Sequence, residues 1–155
     1  MTKLLGLAFI SALAVPACTS DDGGGGDLSI DSTPLAGTVY GAPWTFNSGA
    51  TDAFLSEGDD NFFSDFYATA YKCGQTQPSG ASLIVSIPKL PGDYPMSLSQ
   101  NMTFTNGSDN KIAVDGMIHV DTVTATTVTG GLVGRFDDDN FVSGQFTLAV
   151  CPSDN

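Results

Sequence analysis

The sequence predicts an all-β domain, built as an antiparallel β-sandwich or a flattened up-and-down barrel of about nine to ten strands. Three observations favour this class. From residue 34 onward, no stretch repeats its apolar residues at a helical period. Short runs rich in β-branched and aromatic residues instead recur about every 8–12 residues. Glycine, proline, asparagine and aspartate separate the runs, which is typical of a chain with many turns.

The first half of the predicted domain begins with a hairpin, whose two strands flank a turn at 41–43. Leu83, Val85 and Ile87 then alternate with smaller or polar residues, as expected for a half-buried strand that Pro88 ends. The predicted strands share bulky apolar side chains bounded by turn residues, and they cover 35–40, 44–47, 62–73, 81–87, 94–98 and 102–105.

The C-terminal third carries the clearest alternation, because three sets of its large apolar residues fall on even numbers. They are Ile112, Val114, Ile118, Val120, Val128, Leu132, Phe136, Val142, Phe146, Leu148 and Val150. Hairpins whose paired numbers have an even sum keep these side chains on one side of a sheet. Pairing Phe136 with Val142 would place Gly134 opposite Gly144, and opposed glycines predict a bend. Whether the first hairpin joins the last strand is left open by the pattern.

The charge balance limits the partners of the protein. The 155 residues include 5 Lys and Arg against 17 Asp and Glu, so the formal net charge is -12. Hydrophobic residues make up 41 % of the chain, which is too many for a wholly disordered acidic protein. Binding to phosphates depends on many Lys and Arg side chains. The sequence therefore predicts no nucleic-acid partner and no electrostatic attraction to anionic lipid.

Residues 1–17 have the pattern of a signal peptide. Lys3 precedes an apolar run at 4–15, which is shorter than the roughly 20 residues that span a bilayer. The run ends in Val15-Pro16-Ala17-Cys18, and this motif resembles the lipobox of bacterial lipoproteins. The resemblance implies that Cys18 is acylated and becomes the new N-terminus, although Pro16 departs from the pattern. The alternative is an ordinary signal peptide in which Cys18 has no role.

The residues after Cys18 favour the lipoprotein interpretation. Residues 19–27 contain four consecutive glycines and three aspartates, so 18–32 is predicted to be a flexible tether that precedes a single β domain at 33–155. The resemblance implies anchoring to the bacterial cell envelope through covalent lipid, including palmitate. The absence of aspartate at position 19 favours the outer membrane over the inner one. The body of the chain also resembles small β-rich envelope lipoproteins.

Two cysteines remain when Cys18 is assigned to lipid. Cys73 and Cys151 form an even pair in an exported chain, which predicts a disulfide bond between them. A zinc pair is the alternative, but no further cysteine or nearby histidine completes a zinc site. The long loop that this bond closes would stabilise the fold by at most about 4–5 kcal/mol.

Catalytic motifs are nearly absent from the sequence. The chain has a single histidine, His119, which alternation places on an outward face with Asp115, Met117 and Asp121. A serine–histidine–aspartate triad through His119 and an acid pair made of Asp115 and Asp121 are formal possibilities. The favoured interpretation is a solvated histidine whose pKa the neighbouring Asp121 raises. No catalytic residue is therefore predicted.

Two acidic loops offer oxygen atoms to a calcium ion. Asp137, Asp139 and Asn140 are weak candidates, and the loop at 57–60 contains further acids. Neither loop has EF-hand spacing, and a hairpin turn between Phe136 and Phe141 explains the first of them. The prediction is no metal site and no cofactor, with calcium as the alternative.

The aromatic residues of the chain leave three roles open. They can fill a core, line the cavity of a carrier, or form exposed platforms for a ligand. Together with the anchor and the missing catalytic motifs, they favour a non-enzymatic envelope lipoprotein whose tethered β domain binds a partner or has a structural role. A lipocalin-like carrier of a small ligand is the first alternative, and an envelope hydrolase is the second. The partner itself, whether protein, glycan or small molecule, is not predicted.

Overall fold

A computed structural model describes residues 28–152. They form eleven strands and one short helical turn, α1 (Ala53–Ser56). The strands are β1 (Ala36–Val39), β2 (Ala42–Thr45), β3 (Ser48–Thr51), β4 (Asn61–Tyr67), β5 (Ser82–Pro88), β6 (Gly92–Pro95), β7 (Met102–Asn106), β8 (Asp109–Ala113), β9 (Asp115–Val123), β10 (Thr127–Asp137) and β11 (Asn140–Val150). The prediction of an all-β fold is confirmed.

The strands form one curled sheet in the order β6-β9-β10-β11-β3-β4-β5-β7-β8, and β1 pairs with both β11 and β2. Neighbouring strands are antiparallel except for β11 and β3. Within residues 28–152, β6 and β8 stay at the two edges, so the sheet is a half-barrel and not a closed barrel. The order is also not simply up-and-down, because β6 crosses to the far edge, beside β9.

The first hairpin does join the last strand. β1 pairs with the beginning of β11, where Ala36 lies opposite Ser143, and β3 pairs with the end of β11. Its turn falls at Tyr40 and Gly41, one residue earlier than predicted, and both residues have positive φ values, of 51° and 74°. Two consecutive residues of positive φ match a type I′ turn, which suits the twist of a two-stranded ribbon.

Apolar side chains fill the inner face of the curled sheet. Phe66 on β4 lies with its ring centroid 5.2 Å from that of Phe146 on β11, in an edge-to-face arrangement. Leu83, Val85 and Ile87 are fully buried there, which confirms the alternation predicted for this strand. The wholly or nearly buried residues that share this core also include Leu35, Phe104, Met102, Ile118, Val120, Val128, Leu132 and Leu148.

The predicted register of the last hairpin is wrong by two residues. Leu132 lies opposite Gly144 and Gly134 lies opposite Val142, so the two glycines do not face each other. A tight turn at Asp138 and Asp139 accounts for one residue of the shift. An irregularity between Arg135 and Asp137, which leaves Phe136 unpaired and half-exposed, accounts for the other. A bulge of one residue shifts all pairs on one side of it, and alternation alone does not reveal such an insertion.

Ile112 and Val114 were predicted to share the buried face of Ile118 and Val120, but they are 54 % and 47 % exposed. β8 and β9 are separate strands, and Val114 lies between them. Residues directly opposite each other in a ladder share one face of the sheet. Because Ala113 lies opposite the buried Met102, the odd-numbered residues of β8 face inward and Ile112 faces outward.

The strand predicted at 62–73 is shorter in the structure, since β4 ends at Tyr67. The chain then runs without regular strand to β5, and Cys73 lies in this stretch. Cys73 forms the predicted disulfide bond with Cys151, directly after β11, with 5.5 Å between the Cα atoms. The bond therefore joins a loop to the end of the last strand. Neither β3 nor α1 was predicted.

Residues 28–34 are named here the N-terminal strap. Its residues 29–31 lie on the outer face of β10 and β11, and Thr33 and Pro34 then pair with the backbone of Gln145 in β11. The backbone N–H of Asp31 donates to Ser143 Oγ at 2.9 Å, and Gln145 Nε2 donates to the carbonyl of Asp31 at 2.8 Å. Gly144 lets Thr33 of the strap lie close to β11, because a Cβ atom at position 144 would come within 2.6 Å of the Thr33 carbonyl oxygen. Residues 28–32, predicted as part of the tether, are thus packed on the sheet.

The predicted signal peptide, Cys18 and most of the predicted tether lie outside the described residues. In the part of the chain that the structure describes, no helix has the length and apolar character needed to cross a membrane.

Candidate functional site

A cleft of about 580 Å³ opens at one end of the half-barrel, where β4 begins and β5 ends. We call it the rim cleft. One wall comes from these strand ends, and the other comes from β6 and the turn that follows β6. Its lining residues are Asp59, Asp60, Asn61, Pro88, Lys89, Leu90, Tyr94, Ser99 and Gln100. Its volume lies within the range of roughly 300–1,000 Å³ that small-ligand pockets have.

The chain between β5 and β7 forms the second wall because it leaves the sheet and returns. Pro88 ends β5, and β6 then pairs with β9 at the opposite edge. The buried Met96 fixes the segment after β6, and its backbone N–H donates to the Gly116 carbonyl at 2.9 Å. A turn follows in which the Ser97 N–H donates to the Gln100 carbonyl at 2.9 Å. This turn holds Gln100 at the cleft.

An amide pair spans the rim cleft. Gln100 Nε2 donates to Asn61 Oδ1 at 2.7 Å, so the turn and the first residue of β4 are joined directly. The other amide atom, Gln100 Oε1, is buried and has no hydrogen-bond partner among the described residues. A buried acceptor without a donor is unfavourable by about 1–3 kcal/mol. The accessible surface of this oxygen is below 1 Å², so a ligand donor in the cleft would reach it only when the Gln100 side chain turns toward the cleft.

Lys89 holds the acidic loop that borders the cleft. Its ammonium group donates to the carbonyl oxygens of Ser56 and Asp59, each at 2.6 Å, and lies 5.1 Å from the centroid of the Phe62 ring. The charge is thus already solvated by two carbonyl dipoles and an aromatic face. The carboxylates of Asp59 and Asp60 stand beside it on the exposed side of the loop.

Apolar surface at the cleft is unusually exposed. Leu90 is 70 % exposed, and Leu98, in the neighbouring turn, is 87 % exposed. The Tyr94 hydroxyl donates to the Leu90 carbonyl at 2.9 Å, which holds the aromatic ring in the wall. An aromatic side chain that is fixed at its polar tip offers its ring for contact at little conformational cost.

His119 lies on the outer face of β9, as the sequence predicted. Its Nδ1 lies 2.5 Å from Asp93 Oδ1, and its Nε2 lies 3.0 Å from Asp121 Oδ1. The hydrogen bond to Asp93 is the main cause that raises the pKa of His119, and the bond to Asp121 adds to it. Asp121 was a predicted neighbour. Asp93 was missed because β6 begins two residues earlier than predicted, and it lies opposite His119 in the ladder.

The acid pair of Asp115 and Asp121, which the sequence left as a formal possibility, is not formed. Asp115 lies opposite Arg135 in the β9–β10 ladder, at the other end of the strand from Asp121. Both ring nitrogens of His119 contact carboxylates, and an imidazolium ring held in this way has no free lone pair to accept a proton. The arrangement suits a clamp between β6 and β9 better than it suits a general base.

The weak calcium candidates serve the turn between β10 and β11. Asp137 accepts hydrogen bonds from Asn140 Nδ2 at 2.7 Å, from Lys111 Nζ at 3.1 Å and from the Asp139 N–H at 3.1 Å. The bond from Asn140 is the main cause that lowers the pKa of Asp137. Asn140 is fully buried, and its Oδ1 accepts from the Tyr40 N–H at 2.9 Å. Across residues 28–152, no group of three or more potential metal ligands comes together.

Sequence reasoning missed the rim cleft, although it named the acidic loop at 57–60. No local pattern marks Asn61, Leu90 or Gln100, since the amide pair joins residues 39 positions apart. The only signal was indirect: the polar turn residues at 97–101 and the Pro-Gly pair at 91–92 mark an irregular connection, and such connections often carry binding residues.

Fold and site together define a curled all-β domain with a mixed polar and apolar cleft at its rim. No protein-family model, no curated protein and no solved structure matches the chain at a significant level.

Proposed function

We propose that the protein is a non-enzymatic lipoprotein of the bacterial cell envelope, and that its tethered β domain binds a partner through the rim cleft. One observation carries the binding role: the rim cleft combines the Asn61–Gln100 amide pair and two exposed carboxylates with leucine and tyrosine side chains, and one amide oxygen of the pair has no partner. Binding pockets commonly combine apolar walls with a few such polar groups.

The anchoring part of the proposal rests on the lipobox-like motif at Val15–Cys18 and on the glycine-rich segment that follows. Acylation of Cys18 would hold the protein at a membrane, with the outer membrane preferred because position 19 is not aspartate. The mature chain has few basic residues, so the lipid alone would provide the attachment. The N-terminal strap would then be the point at which the tether reaches the domain, on the outer face of β10 and β11.

Two observations favour a rim binding site over the carrier and hydrolase alternatives. A carrier of the lipocalin type holds its ligand between the strands. Here Phe66, Phe104 and Phe146 occupy that space with other buried side chains. A hydrolase built on the single histidine would need a free ring nitrogen, but His119 engages a carboxylate at each one.

Anchoring is tested by metabolic labelling of the full chain with an alkyne fatty acid in a bacterial host, followed by membrane fractionation. The wild-type chain should be labelled and should sediment with membranes. Cys18→Ser should be neither labelled nor sedimented. The matched control is Thr19→Ser, which keeps the lipobox and should behave as wild type. Labelling that persists in Cys18→Ser, or a wild-type chain without label, contradicts the lipoprotein assignment.

The binding role is tested with the full chain carrying Cys18→Ser, which removes lipid attachment as a cause of sedimentation. The protein is mixed with purified outer membranes and with purified cell-wall sacculi, and co-sedimentation is measured. We expect binding to at least one material, and we expect Gln100→Leu to weaken it. Gln75→Leu, which changes the same side chain in an exposed loop, should bind as well as the parent chain. Binding that is absent, or that Gln100→Leu leaves unchanged, contradicts the proposal.

A further inference from the structure

The polar groups of the rim cleft show which ligand chemistry suits it. Gln100 Oε1 is an acceptor without a donor, which a ligand reaches when the Gln100 side chain turns toward the cleft. Asn61 uses its Oδ1 for Gln100, which leaves its NH₂ group as a donor. A hydroxyl group both donates and accepts, so one hydroxyl or two neighbouring hydroxyls can satisfy the pair. An organic ammonium cation has only donors, and a phosphate has mainly acceptors.

Charge around the cleft argues against an anionic ligand. The exposed carboxylates of Asp59 and Asp60 border the opening, and the whole chain has a net charge of -12. The ammonium group of Lys89 does not offset them for a ligand, because it already lies against two carbonyl oxygens and the Phe62 ring. Carboxylates accept hydrogen bonds from hydroxyl groups without needing a counter-charge.

The walls add an apolar surface that a hydroxyl-rich ligand can also use. Tyr94, Leu90 and Pro88 line the cleft together, and the hydroxyl of Tyr94 is occupied by the Leu90 carbonyl. The ring of Tyr94 and the acceptor side of its oxygen are then left for a ligand. A sugar ring has C–H faces that pack on an aromatic side chain, and hydroxyl edges that bond to amides and carboxylates.

From this juxtaposition we propose that the rim cleft binds a neutral saccharide, with Gln100, Asn61 and Asp60 bonding to hydroxyl groups and Tyr94 packing on the sugar ring. The proposal rests on the binding role proposed above and names its ligand class. In a cell envelope, such a ligand would be a segment of an uncharged polysaccharide or of a glycan strand.

The test uses ¹⁵N-labelled full chain carrying Cys18→Ser and follows the side-chain amide NMR signals of Asn61 and Gln100. The saccharide probes are maltotriose, cellotriose and chitotriose at millimolar concentration. Spermidine serves as a cationic probe and inorganic phosphate as an anionic probe. We expect at least one saccharide to shift both amide signals. We expect spermidine and phosphate to leave them in place.

Variants separate the role of the amide from a loss of folding. Gln100→Leu should weaken saccharide binding about tenfold or more, which corresponds to the loss of one well-placed hydrogen bond. Gln75→Leu should bind as tightly as the parent chain. Tyr94→Phe removes only the hydroxyl that Leu90 uses, so it should keep most of the affinity, whereas Tyr94→Ala should lose it. Unchanged backbone amide spectra outside the cleft show that each variant is folded.

Three outcomes overturn the saccharide assignment: no shift with any saccharide, a shift with spermidine alone, or a shift with phosphate alone. Each is distinguishable from failure of the proposed function. If Gln100→Leu still reduces co-sedimentation with envelope material, the cleft binds a partner of another class. If that co-sedimentation is also unaffected, both the ligand class and the binding role are wrong.

Discussion

The C-terminal meander and the rim segment differ in how much of their backbone is paired with neighbouring strands. The meander, β9 to β11, has strands of 9, 11 and 11 residues, and its backbone pairs along nearly their full length, with one irregularity in each ladder. The rim segment, residues 88–101, has only Pro88 and the four residues of β6 in ladders, and single backbone hydrogen bonds and side-chain contacts hold the rest. Stability is unevenly distributed in proteins, and binding residues tend to lie where backbone pairing is sparse.

This difference indicates that the meander forms the scaffold of the domain and that the rim cleft lies on this scaffold, outside its buried core. Met96 is the one buried apolar residue in the rim segment after β6, whereas the meander contributes Ile118, Leu132 and Leu148, which are fully buried. A change in the meander should therefore alter the whole fold, and a change in the rim segment should alter the cleft while the fold persists. The predictions below test this separation.

Removing the disulfide should have the largest effect on the scaffold. The bond joins residues 78 positions apart and fastens the end of β11 to the loop after β4. Replacing both cysteines, Cys73→Ser with Cys151→Ser, should lower the free energy of unfolding by about 3–4 kcal/mol, because the unfolded chain regains its freedom. Urea unfolding of oxidised and double-variant protein measures this. Equal stability of the two proteins would show that the bond does not constrain the fold.

A matched pair of leucines tests the comparison directly. Leu132 is fully buried in β10 and Leu90 is 70 % exposed at the cleft. Leu132→Ala should lower the free energy of unfolding by about 2–5 kcal/mol, since it removes buried surface and leaves a cavity. Leu90→Ala should change it by less than about 0.5 kcal/mol and should weaken ligand binding. Similar losses of stability in the two variants would contradict the division into scaffold and rim.

Asn140 tests how a polar residue supports the scaffold. It is fully buried, donates to Asp137 and accepts from the Tyr40 backbone, so it joins the β10–β11 turn to the β1–β2 turn. Asn140→Ala should lower the free energy of unfolding by about 1–3 kcal/mol, because Tyr40 and Asp137 lose their partner. Urea unfolding measures this change. Added calcium should not change the stability of the wild-type chain in the same assay. Stabilisation by calcium that Asn140→Ala abolishes would instead establish the loop as a metal site.

How far the sequence predicts the molecule follows from the range of the interactions involved. Alternation identified the buried face of Leu83, Val85 and Ile87, because successive side chains of one strand point to opposite faces of the sheet. The bulge at Phe136 escaped it, since one unpaired residue leaves the pattern of either strand intact. The amide pair of Asn61 and Gln100 escaped it as well. It depends on β6 leaving its neighbours to pair with β9, and no local preference encodes that crossing.

The smallest effect concerns the connection between the two regions, where Asp93 on β6 and Asp121 on β9 enclose His119. These contacts raise the pKa of His119 above its ordinary value of 6.5 in the folded protein. A raised pKa means that the folded state holds the proton more tightly. The extra stability is therefore fully present below about pH 6.5 and is lost as the pH rises through the folded-state pKa. His119 is partly solvated, so the change in melting temperature should be small.

The pH dependence can be followed at a single residue, because the chain has one histidine. An NMR titration of His119 should give a pKa above 6.5, and Asp93→Asn should bring it closer to that value. The melting temperature of wild type relative to His119→Asn should fall between pH 6.5 and the measured pKa. Because Asp93 lies in β6, amide hydrogen exchange at residues 92–94 should also speed up in this interval, corrected against His119→Asn. Exchange in β10 should not change, since its pairing does not depend on the clamp. A histidine that titrates at or below 6.5 would show that the rim segment is held to the scaffold by backbone pairing alone.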